Sequence, residues 1–271
     1  MCQSLLAVKI SLVATIDELH AWHSAGMDVL RFDSDLVGGW LQLPSPATAE
    51  VIGSVGFDMV VIDAQHGLIG EDALLGMLQA LSATGTRTLV RVPGHGDEPV
   101  AAALDRGADG VIVPLVNSAD EAAAAVAACH YPPRGRRSYG PTRLGWHGRD
   151  TSAPGRCVVM VETREAVEAL DAILAVDGLD AVFVGPSDLA LAHGMELAAQ
   201  NGDPDYDALL SRITGACRQA GIPAGVWCAG PENLHRYRSL GFTFFGLSAE
   251  HALLRVAASE ALARSRPGGL G

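Results

Sequence analysis

Short β-branched runs alternate with Ala- and Leu-rich amphipathic stretches from residue 37 to the end of the chain, the pattern of successive βα units feeding a parallel sheet. Strand-like runs fall near 37–43, 58–64, 87–93, 110–116, 157–162, 181–186, 223–228 and 242–248, eight in all. Helical periodicity fills the intervals at about 46–56, 70–84, 97–107, 119–130, 163–176, 187–193, 205–220 and 231–240, with a last helix near 249–265. Ser118 stands before Ala119-Asp120-Glu121 as an N-cap with acids in the first turn, and Gly85, Gly107, Gly221 and Gly241 stand where helices should stop. Eight repeats in roughly 250 residues have the size and rhythm of a closed (β/α)8, or TIM, barrel of the α/β class. An open doubly wound sheet is the alternative, but it usually has fewer strands, and no GxGxxG follows the first strand.

Two segments stand outside the repeat. Residues 1–34 hold one plausible helix, Ile16 to Ala25, and read as an N-terminal extension to a barrel domain over 35–271. Residues 131–156, rich in Gly, Pro and Arg between strands four and five, read as a long ordered loop that could form a lid.

Composition narrows the partners. The 271 residues are 49% hydrophobic and 18% charged, enough apolar material for one sizeable core, and the net charge of −12 disfavours gripping a nucleic-acid backbone. No apolar run reaches the ~18–20 residues needed to cross a bilayer. The Ser4–Ile16 stretch lacks a basic leader and carries Lys9 in its middle, so a cytoplasmic location is expected. Five scattered cysteines without a CxxC pair argue against a disulfide framework or zinc knuckle. Of nineteen basic residues only Lys9 is a lysine, and it lies outside the repeat; Schiff-base and pyridoxal chemistry therefore have no amine to use.

In a barrel of this type the active site forms at the C-terminal ends of the strands. Asp63 and His66 close strand two, Arg91 closes strand three, Glu162 closes strand five, and Asp188 follows strand six. Glu162 and Asp188 from neighbouring strands would repel unless a cation sat between them, and two carboxylates without Cys or a close His pair suit a hard ion, Mg²⁺ or Mn²⁺. The plainer alternative makes both of them helix-cap acids. Arg91 cannot shed its charge and needs an anion, either Asp63 or Asp105, or a substrate carboxylate or oxyanion. His66 is the natural proton carrier near neutral pH. A GxSxG elbow, a P-loop and a Gly-rich phosphate cradle after strands seven and eight are all missing.

These residues, in the motifs GGWLQLPSPATAE, GFDMVVIDAQHG, LVRVP, LDRGADGVIVPLVNSADEA, YPPRGRRSYGPTR, VETREAVEALDAILAVDGLDAVFVGPSDLA and LGFTFFGLSAEHALL, make the chain resemble the HpcH/HpaI aldolase family over Gly38 to Leu254. That family comprises metal-dependent class II pyruvate aldolases. The resemblance implies Glu162 and Asp188 as metal ligands, with Mg²⁺ or Mn²⁺ (or Co²⁺) as cofactor. It implies His66 as the catalytic histidine paired with Asp105, and Arg91 as the residue that steadies the keto or enolate oxygen. Trp40, an aromatic at the mouth, Asp63, a nearby polar residue, and Gln65 would be substrate-binding residues, and the backbone amides of Ser187 and Asp188 would cradle the pyruvate carboxylate. Gln65 stands where the family often has Glu, and Met160 where it often has Gln; either change could alter water-mediated substrate contacts. The resemblance also implies a homo-oligomer, trimer or hexamer, packed through the last helix.

The activity expected from this is reversible aldol cleavage of a 2-keto-4-hydroxy acid to pyruvate, or a close analogue, and an aldehyde. A lyase acting on acyl-CoA substrates or another metal-enolate carbon–carbon enzyme is the alternative, and a barrel kept only as a binding protein is the third.

Overall fold

The computed structural model describes residues 30–146 and 150–266, and the compact unit containing the barrel is Phe32–Gly271. The helix expected at Ile16–Ala25 lies outside the described residues. Eight parallel strands close in sequence order: β1 (Leu36–Leu41), β2 (Met59–Asp63), β3 (Arg87–Arg91), β4 (Gly110–Val113), β5 (Arg156–Val161), β6 (Ala181–Val184), β7 (Ala224–Cys228) and β8 (Phe244–Ala249). The closed (β/α)8 barrel expected from the pattern is confirmed, and β1 pairs directly with β8.

Helices return the chain between strands: α1 (Pro46–Gly53), α2 (Glu71–Thr84), α3 (Asp97–Asp105) and α4 (Ala119–Cys129). Ser118 caps α4 as expected, its hydroxyl accepting from the Glu121 amide. The 131–156 segment carries a short α5 (Thr142–Trp146). The helix expected over 163–176 is divided into α6 (Arg164–Glu168) and α7 (Leu170–Leu174) at Ala169, whose ψ of 5° leaves the helical path. Then follow α8 (Pro186–Ala192), a 3-10 turn at Leu197–Asn201, α9 (Pro204–Ala220), α10 (Glu232–Ser239) and α11 (Glu250–Ser265).

Strand side chains alternate between two apolar layers. One parity, including Val60, Ile62, Val90, Val159 and Val182, packs outward against the helices. The other fills the barrel interior: Met59 meets Gly38, Phe183 meets Trp40 and Phe244, and Gly246 leaves room for the Trp40 ring, where a Cβ would lie 2.7 Å away. Phe32, assigned to the extension from sequence, belongs to the barrel: it is buried with its ring 4.7 Å from Phe244, and its carbonyl accepts from the Thr243 hydroxyl. That contact lies at the start of β8, the end of the barrel opposite the site.

Candidate active site

Interior parity delivers the chemistry. Asp63 is two residues beyond Val61, Arg91 two beyond Leu89, Glu162 two beyond Met160 and Gln42 two beyond Trp40, so each is the next inward side chain up its strand. They emerge at the C-terminal mouth, where a cavity of about 160 Å³ is lined by Trp40, Gln42, His66, Arg91 and Met160 from one side. Phe183, Gly185, Pro186, Ser187, Asp188 and Trp227 line the other.

Asp63 is fully buried and accepts six hydrogen bonds. Oδ1 takes Arg91 Nε at 2.9 Å and the amides of Gln65 and His66 at 3.1 Å each. Oδ2 takes Arg91 Nη2 at 2.6 Å, Gln42 Nε2 at 2.8 Å and the Trp40 indole at 3.2 Å. Burial alone would raise this carboxyl, but the hydrogen bonds and charge of Arg91, helped by Gln42 and the His66 amide, bring it down to about 2. An acid so enclosed has no face left for a ligand. The expectation of Asp63 as a substrate-binding residue is therefore corrected: it organises Trp40, Arg91 and the turn that carries His66. Of the two carboxylates weighed for Arg91, Asp63 is the partner, and the guanidinium also lies over the Trp40 ring, 5.1 Å from its centroid.

Glu162 is buried beside this group. Its Oε1 accepts from the Leu115 amide at 2.8 Å, and Leu115 holds a φ of 54°, a left-handed conformation rare for a non-glycine residue. Thr163, not Glu162, caps α6, so the helix-cap alternative does not hold for this acid. Gly185 makes the space for the carboxylate, since a Cβ there would lie 2.1 Å from Oε2. Burial pushes Glu162 up to about 6, the Leu115 amide opposes this, and the nearby charge of Asp188 adds to it. Asp188 sits exposed in the first turn of α8, on the cavity wall. The Tyr206 hydroxyl from α9 fixes this turn by donating to the Pro186 carbonyl at 2.9 Å.

His66 is exposed on the cavity wall, and its imidazole makes no hydrogen bond to another described residue. The pairing of His66 with Asp105 is not formed within the chain. Asp105, the last residue of α3, instead accepts from buried Arg137 Nη2 at 2.5 Å, because the 131–156 segment brings that guanidinium back onto the end of α3. Gln65 also differs from expectation: it is absent from the cavity wall and its buried Oε1 has no hydrogen-bond partner among the described residues. Gln42 and Trp227 line the cavity although the sequence reading did not single them out; their place on the interior parity of WLQL and VWC is the signal that could have found them.

A sequence model of the HpcH/HpaI aldolase/citrate lyase family matches residues 36–257, the whole barrel. The chain belongs to that family. Among curated proteins, this family member is similar to the 2-dehydro-3,6-dideoxy-6-sulfogluconate aldolase of Pseudomonas putida, at 34% identity covering 86% of the chain and 94% of the relative. It is also similar to the hydroxypyruvate/pyruvate aldolase of Rhizorhabdus wittichii, at 35% identity with coverage of 85% and 94%. Among solved structures, a HpcH/HpaI aldolase/citrate lyase family protein from Burkholderia cenocepacia superposes with a TM-score of 0.79 at 29% identity, covering 87% of this chain and 96% of that one.

Proposed function

We propose that the protein catalyses reversible aldol cleavage of a 2-keto-4-hydroxy acid to pyruvate, or a close analogue, and an aldehyde, with the help of a divalent ion. The observation that carries this reading is a buried, locked guanidinium, Arg91, on the wall of one small cavity, with a buried acid that ionises with difficulty, Glu162, packed behind the wall residue Gly185. A cavity of about 160 Å³ suits a small keto acid, being well below the ~300–1,000 Å³ of pockets for drug-sized ligands.

Glu162 and Asp188 are the residues that would hold the ion. Among the described residues no three His, Cys, Asp or Glu side chains group together, so two carboxylates would leave positions open for water and substrate oxygens, as Mg²⁺, Mn²⁺ or Co²⁺ accepts. The fit is supported by the charge of Asp188 raising Glu162, a repulsion that a cation relieves, and by Glu162 Oε2 having no donor among the described residues. When bound, the ion supplies Lewis-acid polarisation of the substrate's keto and carboxylate oxygens.

The remaining work falls to side chains. His66 takes the proton of the 4-hydroxyl, directly or through a water, and the oxygen lone pair forms the aldehyde carbonyl as the C3–C4 bond breaks. The bonding pair becomes the C2=C3 double bond and the keto π pair moves onto the keto oxygen, giving an enolate whose charge Arg91 faces with donors fixed by Asp63, so little reorganisation is needed as the charge develops. Return of that proton to C3, from His66 directly or through the same water, completes pyruvate and restores the neutral histidine. The first-turn amides of Ser187 and Asp188, without acceptors inside α8, receive the substrate carboxylate.

A homo-oligomer is part of this reading. Leu253, Leu254, Val256 and Leu262 of α11 are exposed, spread around the helix rather than along one side, and packing of α11 into a second copy would cover them; light scattering reports the mass. The experiment that tests the activity compares pyruvate release from 4-hydroxy-2-keto acids with cleavage of malyl- or citramalyl-CoA. Turnover of the keto acids is expected, and turnover of the thioesters alone would replace this reading with an acyl-CoA lyase.

A further inference from the structure

The hydrogen bonds around Asp63 continue outward to a histidine on the C-terminal helix. Asp63, held down at about 2, is ionised at neutral pH and can only accept. Gln42 must therefore turn its amide nitrogen to Oδ2, which it meets at 2.8 Å. That orientation turns Gln42 Oε1 toward His251, whose Nε2 lies 2.9 Å away and must carry the proton of this bond. Proton positions are thus assigned from the buried carboxylate outward: His251 donates to Gln42, and Gln42 donates to Asp63.

The backbone brings this pair together. At the junction of β1 and β8 the register shifts, so that Trp40 pairs with Ala249, and the extra residue Ser248 has a φ of 48°. Such a bulge re-aims the chain that follows it. Here it brings the start of α11 against the end of β1, where the buried Glu250 carboxylate accepts from the Gln42 amide at 2.8 and 2.9 Å and from the Leu43 amide at 2.6 Å. Main chain and side chain of Gln42 are both held from the first turn of α11.

We infer that Gln42 and His251 are positioning residues for Arg91, acting through Asp63. Oδ2 of Asp63 is shared by Gln42, Arg91 and the Trp40 indole, so a displaced Gln42 amide moves the anchor of the other two. Without the His251 donor the amide keeps its nitrogen on Oδ2, as the carboxylate requires, but its oxygen is no longer held, so the position of the amide against Oδ2 is less fixed. The consequence falls on the geometry offered to the transition state, and so on kcat more than KM. This rests on the reading of Arg91 as the group that faces the enolate oxygen.

The test uses the full chain with two readouts. One is the indole N–H resonance of Trp40, assigned by its disappearance in Trp40→Phe; the other is the steady-state rate of pyruvate release. His251→Ala is expected to move the resonance and to lower kcat about tenfold with KM little changed, and His251→Gln, which keeps an N–H donor, to recover most of the loss. In a Gln42→Leu background, His251→Ala should add nothing, because the link is already cut. An unmoved resonance, or effects that multiply in the double variant, would overturn the inference. Absence of keto-acid turnover in the unaltered protein would instead sink the functional reading, while the resonance would still decide whether the pair braces Asp63.

Discussion

Asp63 and Arg91 are register partners on β2 and β3, and their side chains meet inside the barrel as a two-pronged ion pair, at 2.9 Å through Nε and 2.6 Å through Nη2. A guanidinium keeps its charge in such a place, and its planar fork matches the carboxylate. The pair fixes the direction of a positive charge at the mouth of the cavity while removing Asp63 from contact with any ligand.

Arg91→Lys keeps the charge and loses the fork. A lysine ammonium is a point donor on a flexible stem, so the variant is expected to fold and to bind substrate with a similar KM, while kcat falls about a hundredfold. Steady-state kinetics beside a thermal melt checks this; near-normal kcat would show that the fixed fork does not matter.

Asp63→Asn leaves the Arg91 charge buried without its counter-ion, at an expected stability loss of about 3 kcal/mol in denaturant unfolding. The pH dependence follows from the lowered acid. Because Asp63 ionises at about 2 in the fold and near 3.8 in the unfolded chain, its ionised form contributes about 2 kcal/mol above pH 3.8, lost as pH falls through 2. The stability gap between the unaltered protein and Asp63→Asn should therefore shrink on acidification from pH 5 to pH 2. A gap constant over that range would contradict the ion pair.

Gly185→Ala places a methyl in the space of the Glu162 carboxylate, 2.1 Å from Oε2. The backbone there has a negative φ of −86° that alanine accepts, so the collision is with the acid and, at 3.0 Å, with the flexible end of Met160, and not with the backbone. Mn²⁺ affinity measured by calorimetry should drop at least tenfold with secondary structure retained. Unchanged affinity would remove Glu162 from the proposed ion site.

Much of this was legible because strand alternation is strict in a closed barrel. Asp63, Arg91 and Glu162 each end an apolar run on the parity of an interior residue, and an ionised group there stands out from its neighbours. Gln42 and Trp227 share that parity but look like ordinary strand positions, since an amide or an indole carries no charge that demands a partner. The partner of Asp105 within the chain was hidden for another reason: the spacing of LDRGA shows a helix end, while the guanidinium that meets it, Arg137, comes from a loop whose path no periodicity encodes. The break at Ala169 was hidden because apolar residues continue on both sides of it, and Phe32 was hidden as one aromatic within the polar stretch RFDSD.

The most direct test of the account is the dependence of pyruvate formation on a divalent ion. Protein stripped with EDTA and offered a 4-hydroxy-2-keto acid should release no pyruvate, and added Mn²⁺ or Mg²⁺ should restore release in the unaltered chain but not in Glu162→Gln. Full pyruvate release from the stripped protein would contradict the account.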